Sequence, residues 1–362
     1  SAAAAGLYPA TPRLQLAAHE PFDLAAGRPL RARLLRSSPT DHVLLLVAHH
    51  IVSDGLSTAI LQRELGILYE AALSGAALDA VLPPLPVSFL DYALWRRANA
   101  SGPRFEQQLQ YWISHLAGAP DNDLPFDRPR PAIPRLGAGG HSVVILPDTT
   151  RALASLAQRN GATPYMVLMS ALRILLARYG AGDDVVVGTP NGGRDRAELE
   201  GLIGYFVDMQ PMRSSLAGDP TFVELLARVR RDTLDAWTHR DVSFERIVAA
   251  VNPPREPGRN PLFQVTFAME AADEALLALP GLQAERAPIG SGGRAKFDLS
   301  LSATLGDDRL ALHFSYNRDL FDQATVERMG AHLGNLLDAI VAAPQARLSE
   351  IPMLGAAERE RL

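Results

Sequence analysis

At 362 residues, 47% of them apolar and 21% charged, the chain suits a globular protein of two domains or one large two-lobed domain. A net charge of −5 with no long basic run argues against nucleic acid and membrane as partners, and no apolar segment reaches the ~18 residues that span a bilayer. Cysteine is absent, which excludes disulfides, a thiolate nucleophile and cysteine-bound metal and fits a cytoplasmic location.

The N-terminal run SAAAAGLYPATPR has no charged region ahead of an apolar core, so it does not read as a secretory signal. Residues 32–36 (ARLLR) and 42–48 (HVLLLVA) read as strands parted by the polar turn SSPTD. Leu56, Ile60, Leu61, Leu65, Leu68 and Tyr69 recur at helical spacing and predict a helix over about 56–74. LPPLPVS ends it, and helices resume at about 86–98 and 103–117. The stretch from Leu116 to Gly140, dense in Pro, Gly and Asp, marks a crossover or linker. Beyond it the pattern predicts a strand at 141–147, helices at 149–159 and 163–179 and a strand at 184–190. A further helix, a strand at 206–212 and a long helix over 221–237 follow. Strands at 262–269, 296–304 and 309–316 and a helix over about 322–343 complete the series, and no repeat of solenoid period is visible. The mixture predicts an α/β protein with two sheet-plus-helix lobes.

The most informative run is HHIVSDGLS, residues 49–57. It sets two imidazoles where a buried strand hands over to a helix. Rigid elements fix such a turn, and imidazole suits proton transfer near neutral pH. Asp54 falls at a helix start, where a carboxylate caps free N–H groups. Gly55 is read as allowing a backbone shape or close approach that a Cβ would block. Strand alternation turns His49 to the side opposite His50 and gives it a supporting role. The nine histidines form no HxxxH pair and no serine sits in a GxSxG elbow, so neither a metal site nor a hydrolase is indicated. Trp95, Tyr111 and Trp112 lie on amphipathic helices and are expected in the core. Lys296, alone among 34 arginines, is either a retained surface residue or a place where a compact ammonium is required.

HHIVSDG resembles the HHxxxDG signature of nonribosomal peptide synthetase condensation domains, a version of which chloramphenicol acetyltransferase and related acyltransferases share. FLDYALW (89–95) resembles the family's YxDYAVW, IGYFVDMQPMR (203–213) its IGxFVNTxxxR, HRDVSFE (239–245) its HQDxPFE and REPGRNPLF (255–263) its RDxSRNPLF. Segments 188–204 and KFDLSL (296–301) also resemble the family, in its order and over nearly the whole chain.

The resemblance implies an α/β fold of two chloramphenicol-acetyltransferase-like lobes in a V-shaped pseudo-dimer. Residues 1–100 would be the remainder of an N-terminal lobe carrying HHxxxDG. Residues 101–362 would be the C-terminal lobe with crossover and floor segments. The family's earliest motifs are not found, so by comparison some 90 N-terminal residues are expected to be lacking, leaving that lobe incomplete and the chain alone inactive. The implied reaction is amide formation. The amine of an aminoacyl thioester on a downstream carrier protein attacks an acyl or peptidyl thioester on an upstream one, in nonribosomal peptide or hybrid polyketide–peptide biosynthesis. No intrinsic cofactor and no metal is implied, only the phosphopantetheine arms of the partner carriers, with an adjacent adenylation domain.

The implied catalytic set is His50 with His49, Asp54 and Gly55. His50 takes the proton from the amine or from the zwitterionic intermediate, or orients the nucleophile, in a channel facing 203–213. Asp54 is read as structural, paired with an arginine as in the family, with Arg31 or Arg33 as weaker candidates than one in the lacking segment. The implied substrate-contacting set is Ser57, Tyr205, Asp208, Met209 and Asn260. Asp208-Met209 replaces the usual Asn-Thr, either by drift of a loop or with altered acceptor choice or activity, and Asn260 is expected to close a turn. Arg240 and Ser243 replace the usual Gln and Pro. Starter, ester-forming and epimerisation relatives share enough of the pattern to be alternatives. A non-catalytic docking module usually loses one histidine of the motif, and heterocyclisation domains carry aspartates there.

Overall fold

The computed structural model describes residues 11–361 apart from 134, 136, 272–276, 287–292 and 307–308. Residues 1–10, most of the run read as lacking a secretory signal, lie outside the described residues. The chain divides into two compact units. The first holds the chain through Ala98 and regains it over Gly192–Val207 and Asp273–Ser291; the second holds Asn99–Asn191, Asp208–Ala272 and Gly292–Leu362.

In the first unit, helix α1 (Thr11–His19) precedes strands β1 (Leu30–Arg36) and β2 (His42–Ala48), an antiparallel pair in register from Leu30↔Ala48 to Arg36↔His42. Leu14 and Ala17 of α1 and Leu45 of β2 form a small buried cluster. Helix α2 (Gly55–Ser74) starts at the Asp54 cap and ends at Gly75, whose φ of 72° lets its N–H reach the carbonyls of Ala71 and Ala72. Helix α3 (Phe89–Ala98) brings Tyr92 and Phe89 against Phe206, Leu199 and Leu202 of the returning segment 192–207.

The second unit is built on a six-stranded mixed sheet. Helix α4 (Pro103–Leu116) buries Phe105, Gln108, Trp112 and Leu116 along one face. Strand β3 (Ala138–Ile145) leads to helices α5 (Pro147–Arg159) and α6 (Pro164–Leu176), then β4 (Asp184–Asn191) and β5 (Asp208–Ser215). Helices α7 (Phe222–Thr238) and α8 (Phe244–Val251), strands β6 (Val265–Ala271), β7 (Leu299–Leu305) and β8 (Leu310–Asn317), and helices α9 (Gln323–Ala342) and α10 (Ala356–Arg359) follow. The strand order is β3-β8-β7-β6-β4-β5, with β6 parallel to both β4 and β7 and the other pairs antiparallel.

Helix α6 is buried all round from Met166 to Leu176, which suits a helix that is apolar on every face. Its one charge, Arg173, is 1% exposed and donates to the carbonyls of Val185 in β4 and Met212 in β5. Burial pushes that guanidinium down to about 10. Thr221 and Glu224 close a capping box at the start of α7.

Several expected elements differ. Between the strands expected at 184–190 and 206–212, where a helix was expected, the chain forms only the short 3₁₀ turn Ala197–Leu199, its polar groups being spent on contacts within the first unit. The strand expected from 206 begins at Asp208. Helices α1 and α8 had no counterpart among the expected elements. Of the three aromatics expected in the core, Trp112 is fully buried, but Tyr111 is half-buried between the stacked rings of His115 and His239. Trp95 is 42% exposed, its ring stacked at 6.3 Å on Tyr92 and with the Arg196 guanidinium 4.6 Å from its centroid.

Candidate functional site

Strand β2 ends at Ala48, so neither histidine lies on a strand. His49 is an extended residue that caps the 3₁₀ turn His50–Val52: its Nδ1 accepts the Ile51 N–H at 3.0 Å, and its ring meets Phe22 edge to face at 5.8 Å. The strand-alternation argument for His49 therefore fails, while its supporting role rests on this cap instead. His50 opens the turn and is exposed. Its Nδ1 lies 2.5 Å from the Ser53 carbonyl oxygen. A carbonyl only accepts, so Nδ1 carries the proton and Nε2 of the neutral ring is the free lone-pair nitrogen. The His50 ring meets Tyr205 edge to face, centroids 5.2 Å apart at 89°.

Asp54 anchors the turn. Its Oδ1 accepts from the Ser57 N–H at 2.9 Å, the Ser57 hydroxyl at 2.8 Å and Arg194 Nη2 at 3.0 Å. Its Oδ2 accepts from Arg194 Nη1 at 2.7 Å and the Phe206 N–H at 3.1 Å. The carboxylate side chain is fully buried and Arg194 is 4% exposed. The guanidinium also sits 4.1 Å from the Phe206 ring centroid and donates to the Leu202 carbonyl. The expected arginine partners are thus corrected: Arg31 and Arg33 serve Glu20 and its neighbouring carbonyls, and Arg194 holds Asp54. What marked Arg194 in the sequence was only its place in segment 188–204.

Burial alone would raise the Asp54 carboxyl. The bonds from Arg194, Ser57 and Phe206 outweigh it and hold the group below the usual carboxylate value. A lowered folded value means that the stabilisation is complete above the unfolded value, ~3.9, and is lost as pH falls through the folded value. Denaturation midpoints followed from pH 6 to pH 2 are expected to decline below about pH 4, with a shallower decline in Asp54→Asn. Parallel curves for the two proteins would contradict this role.

Gly55 does not answer to the expected steric demand. A Cβ there would meet nothing within 4 Å, and its φ is not in the left-handed region. Gly204 does: a Cβ would come within 2.2 Å of the Phe89 ring. Ser57, expected to touch substrate, is 1% exposed and wholly engaged with Asp54, Arg194 and Gly204, so its surroundings give it a bracing role. Tyr205 is 45% exposed beside His50.

The remaining expected residues lie in the second unit. Asp208 opens β5, and its Oδ1 accepts from the Met209 N–H at 2.9 Å and from the Phe244 N–H at 3.1 Å, so it caps α8. Met209 is half-buried opposite Pro190. Asn260 donates its side-chain amide to the Lys296 carbonyl at 2.9 Å, while Gln264 grips both its backbone N–H and its carbonyl. Lys296 itself is exposed. Among the described residues no three potential ligands converge on a metal position, and no helix is long and apolar enough to cross a membrane.

The HHxxxDG turn, its buried aspartate and the mixed sheet meet one family description. The Condensation domain family model matches residues 11–362. The chain belongs to the condensation domain family. Chondramide synthase from Chondromyces crocatus is 40% identical over 352 residues, covering 97% of this condensation domain. Malpinin synthetase from Mortierella alpina is 41% identical over 345 residues, covering 95% of it. The domain spans only 9% and 4% of the lengths of those two relatives. Among solved structures, the X-domain from teicoplanin biosynthesis is 33% identical with a TM-score of 0.86, over 95% of this chain and 79% of that one. The fold is thus the chloramphenicol-acetyltransferase-like α/β fold of condensation domains.

Proposed function

We propose that this condensation domain forms amide bonds between carrier-bound substrates. The observation that carries the reading is the His50 imidazole, with Nδ1–H committed to the Ser53 carbonyl and Nε2 left free on an exposed ring. The amine of an aminoacyl thioester on the downstream carrier attacks the carbonyl carbon of the upstream acyl or peptidyl thioester. A C–N bond forms, the C–S bond breaks, and the upstream thiol leaves with a proton. Nε2 of His50 accepts the proton that the amine must lose, or orients the amine by accepting its hydrogen bond. The thioester is already activated, so the remaining work is alignment and proton handling. With no cysteine among these 362 residues, no acyl group passes through a cysteine of this domain. Tyr205, whose ring meets that of His50, and Asp208, Met209 and Asn260 are our candidates for contacting the acceptor. The partners are phosphopantetheinylated donor and acceptor carrier proteins and an adjacent adenylation domain, in a cytoplasmic synthetase.

The test is dipeptide formation in the full-length protein with both carriers loaded, read by mass spectrometry of the downstream carrier. Product on the downstream arm is expected. Free amino acids at micromolar levels should react very poorly, since tethering supplies the effective concentration. Efficient use of free donor and acceptor would overturn the reading. A second reading is favoured by the likeness to the X-domain, which has also been solved in a complex with OxyB from teicoplanin biosynthesis, at 32% identity and a TM-score of 0.85. On that reading the domain is a docking module that recruits a partner enzyme. Both histidines of the motif are retained here, which supports catalysis.

A further inference from the structure

We propose that Ser57 is a positioning residue. Its hydroxyl holds the Gly204–Tyr205 turn so that the Tyr205 ring stays against the His50 imidazole. The proposal deepens the reading of His50 as the reactive group, but the ring contact is measurable without turnover.

A serine hydroxyl offers one proton and two lone pairs. At Ser57 all are committed. The lone pairs accept from the Gly204 N–H at 3.1 Å and from Arg194 Nη2 at 3.0 Å. The proton lies between Asp54 Oδ1 at 2.8 Å and the Gly204 carbonyl oxygen at 2.9 Å. Gly204 is therefore gripped at both its N–H and its carbonyl by one side chain from a residue 147 positions away. On the other side of Tyr205, the Phe206 N–H is held by Asp54 Oδ2. Both peptide neighbours of Tyr205 are thus tied to the residues that start α2, a few positions after His50. The Tyr205 side chain is nearly half exposed, and these backbone anchors help set where its ring stands.

A helix-capping role does not account for the hydroxyl. Asp54 caps α2 through the Ser57 backbone N–H, which an alanine would also supply. Besides Asp54 and Arg194 the hydroxyl bonds Gly204, at a position where a Cβ would run into the Phe89 ring. Losing the Tyr205 contact would free the His50 ring to turn away from the Ser53 carbonyl and so change which nitrogen faces the substrate.

The experiment uses the full-length protein with isotope-labelled histidine and follows the His50 Cε1–H signal, assigned by its loss in His50→Ala. Tyr205→Ala is the reference for a lost ring contact. Ser57→Ala is expected to move the His50 signal in the direction Tyr205→Ala moves it. The double variant should move it no further, and Ser57→Thr, which keeps the hydroxyl, should hold the parent position. Condensation kcat is expected to fall roughly 10–100-fold in Ser57→Ala with donor KM little changed, the scale of a misplaced reacting group. A folded Ser57→Ala protein with its His50 signal at the parent position overturns the proposal. If Ser57→Ala does not fold, Ser57→Cys, which keeps a side chain of similar shape but bonds Gly204 weakly, takes its place, and an unmoved His50 signal there overturns it equally. If the signals shift as expected while the parent protein makes no amide, the positioning role stands and the condensation reading falls.

Discussion

Arg194→Ala is expected to lower the stability of the first unit by about 3–5 kcal/mol, the cost of removing one partner from a buried ion pair. Asp54 would keep a fully buried charge with only the Ser57 and Phe206 donors left. Solvent cannot compensate, since neither side of the pair is open to water. Arg194→Lys should recover little, because a single ammonium cannot bond both carboxylate oxygens, the Ser57 hydroxyl and the Leu202 carbonyl at once. Urea denaturation read alongside limited proteolysis of segment 192–207 measures both. A loss below about 1 kcal/mol would mean that the pair does not hold the unit together. The double variant Asp54→Asn/Arg194→Met should cost less than the two single changes summed, since it leaves no unpaired charge.

His50→Ala is expected to leave the melting temperature within a degree or two of the parent and to reduce condensation by about 10²–10⁴-fold, the usual range for losing a proton-handling group. The imidazole is exposed and its hydrogen bond stays inside its own turn, to Ser53. Single-turnover transfer between loaded carriers at saturation is the relevant measurement. Near-parental transfer would remove His50 from the chemistry. A large fall in melting temperature would instead make it structural. His49→Ala should behave the opposite way, losing the cap on Ile51 and the contact to Phe22.

Much of the fold was legible because the apolar spacing matched the local structure. The run HVLLLVA became β2 and the Leu56–Tyr69 spacing became α2. The family motifs led to the His50 turn and to the 203–213 segment. What the sequence hid was long-range. Arg194 is 140 residues from Asp54, and one arginine among 34 carries no mark of its partner. The helix expected between strands 184–190 and 206–212 does not form, because the Gly204 carbonyl bonds to Ser57 of α2 and the Leu202 carbonyl to the Arg194 guanidinium rather than along their own turn. Helix α8 starts at Phe244 inside HRDVSFE and runs only eight residues, and its cap, Asp208, comes from a distant strand. Residue type alone suggests a steric reason for Gly55, which the open space around it does not support.

The excursion from Gly192 to Val207 leaves β4 at Asn191 and rejoins β5 at Asp208, and those two residues are partners in the sheet. The order of synthesis therefore matters. A ribosome adding about 5–20 residues per second releases Asp54 roughly 7–30 s before Arg194. Throughout that interval the HHxxxDG turn has no counterion, and α3 has no Phe206 to cover Tyr92. The first unit cannot mature ahead of the second in the usual N-to-C sequence. Its completion waits until segment 192–207 has been made, so an arrest or a slow codon cluster near residue 190 would hold the nascent chain with Asp54 unpaired from Arg194 and Tyr92 uncovered by Phe206.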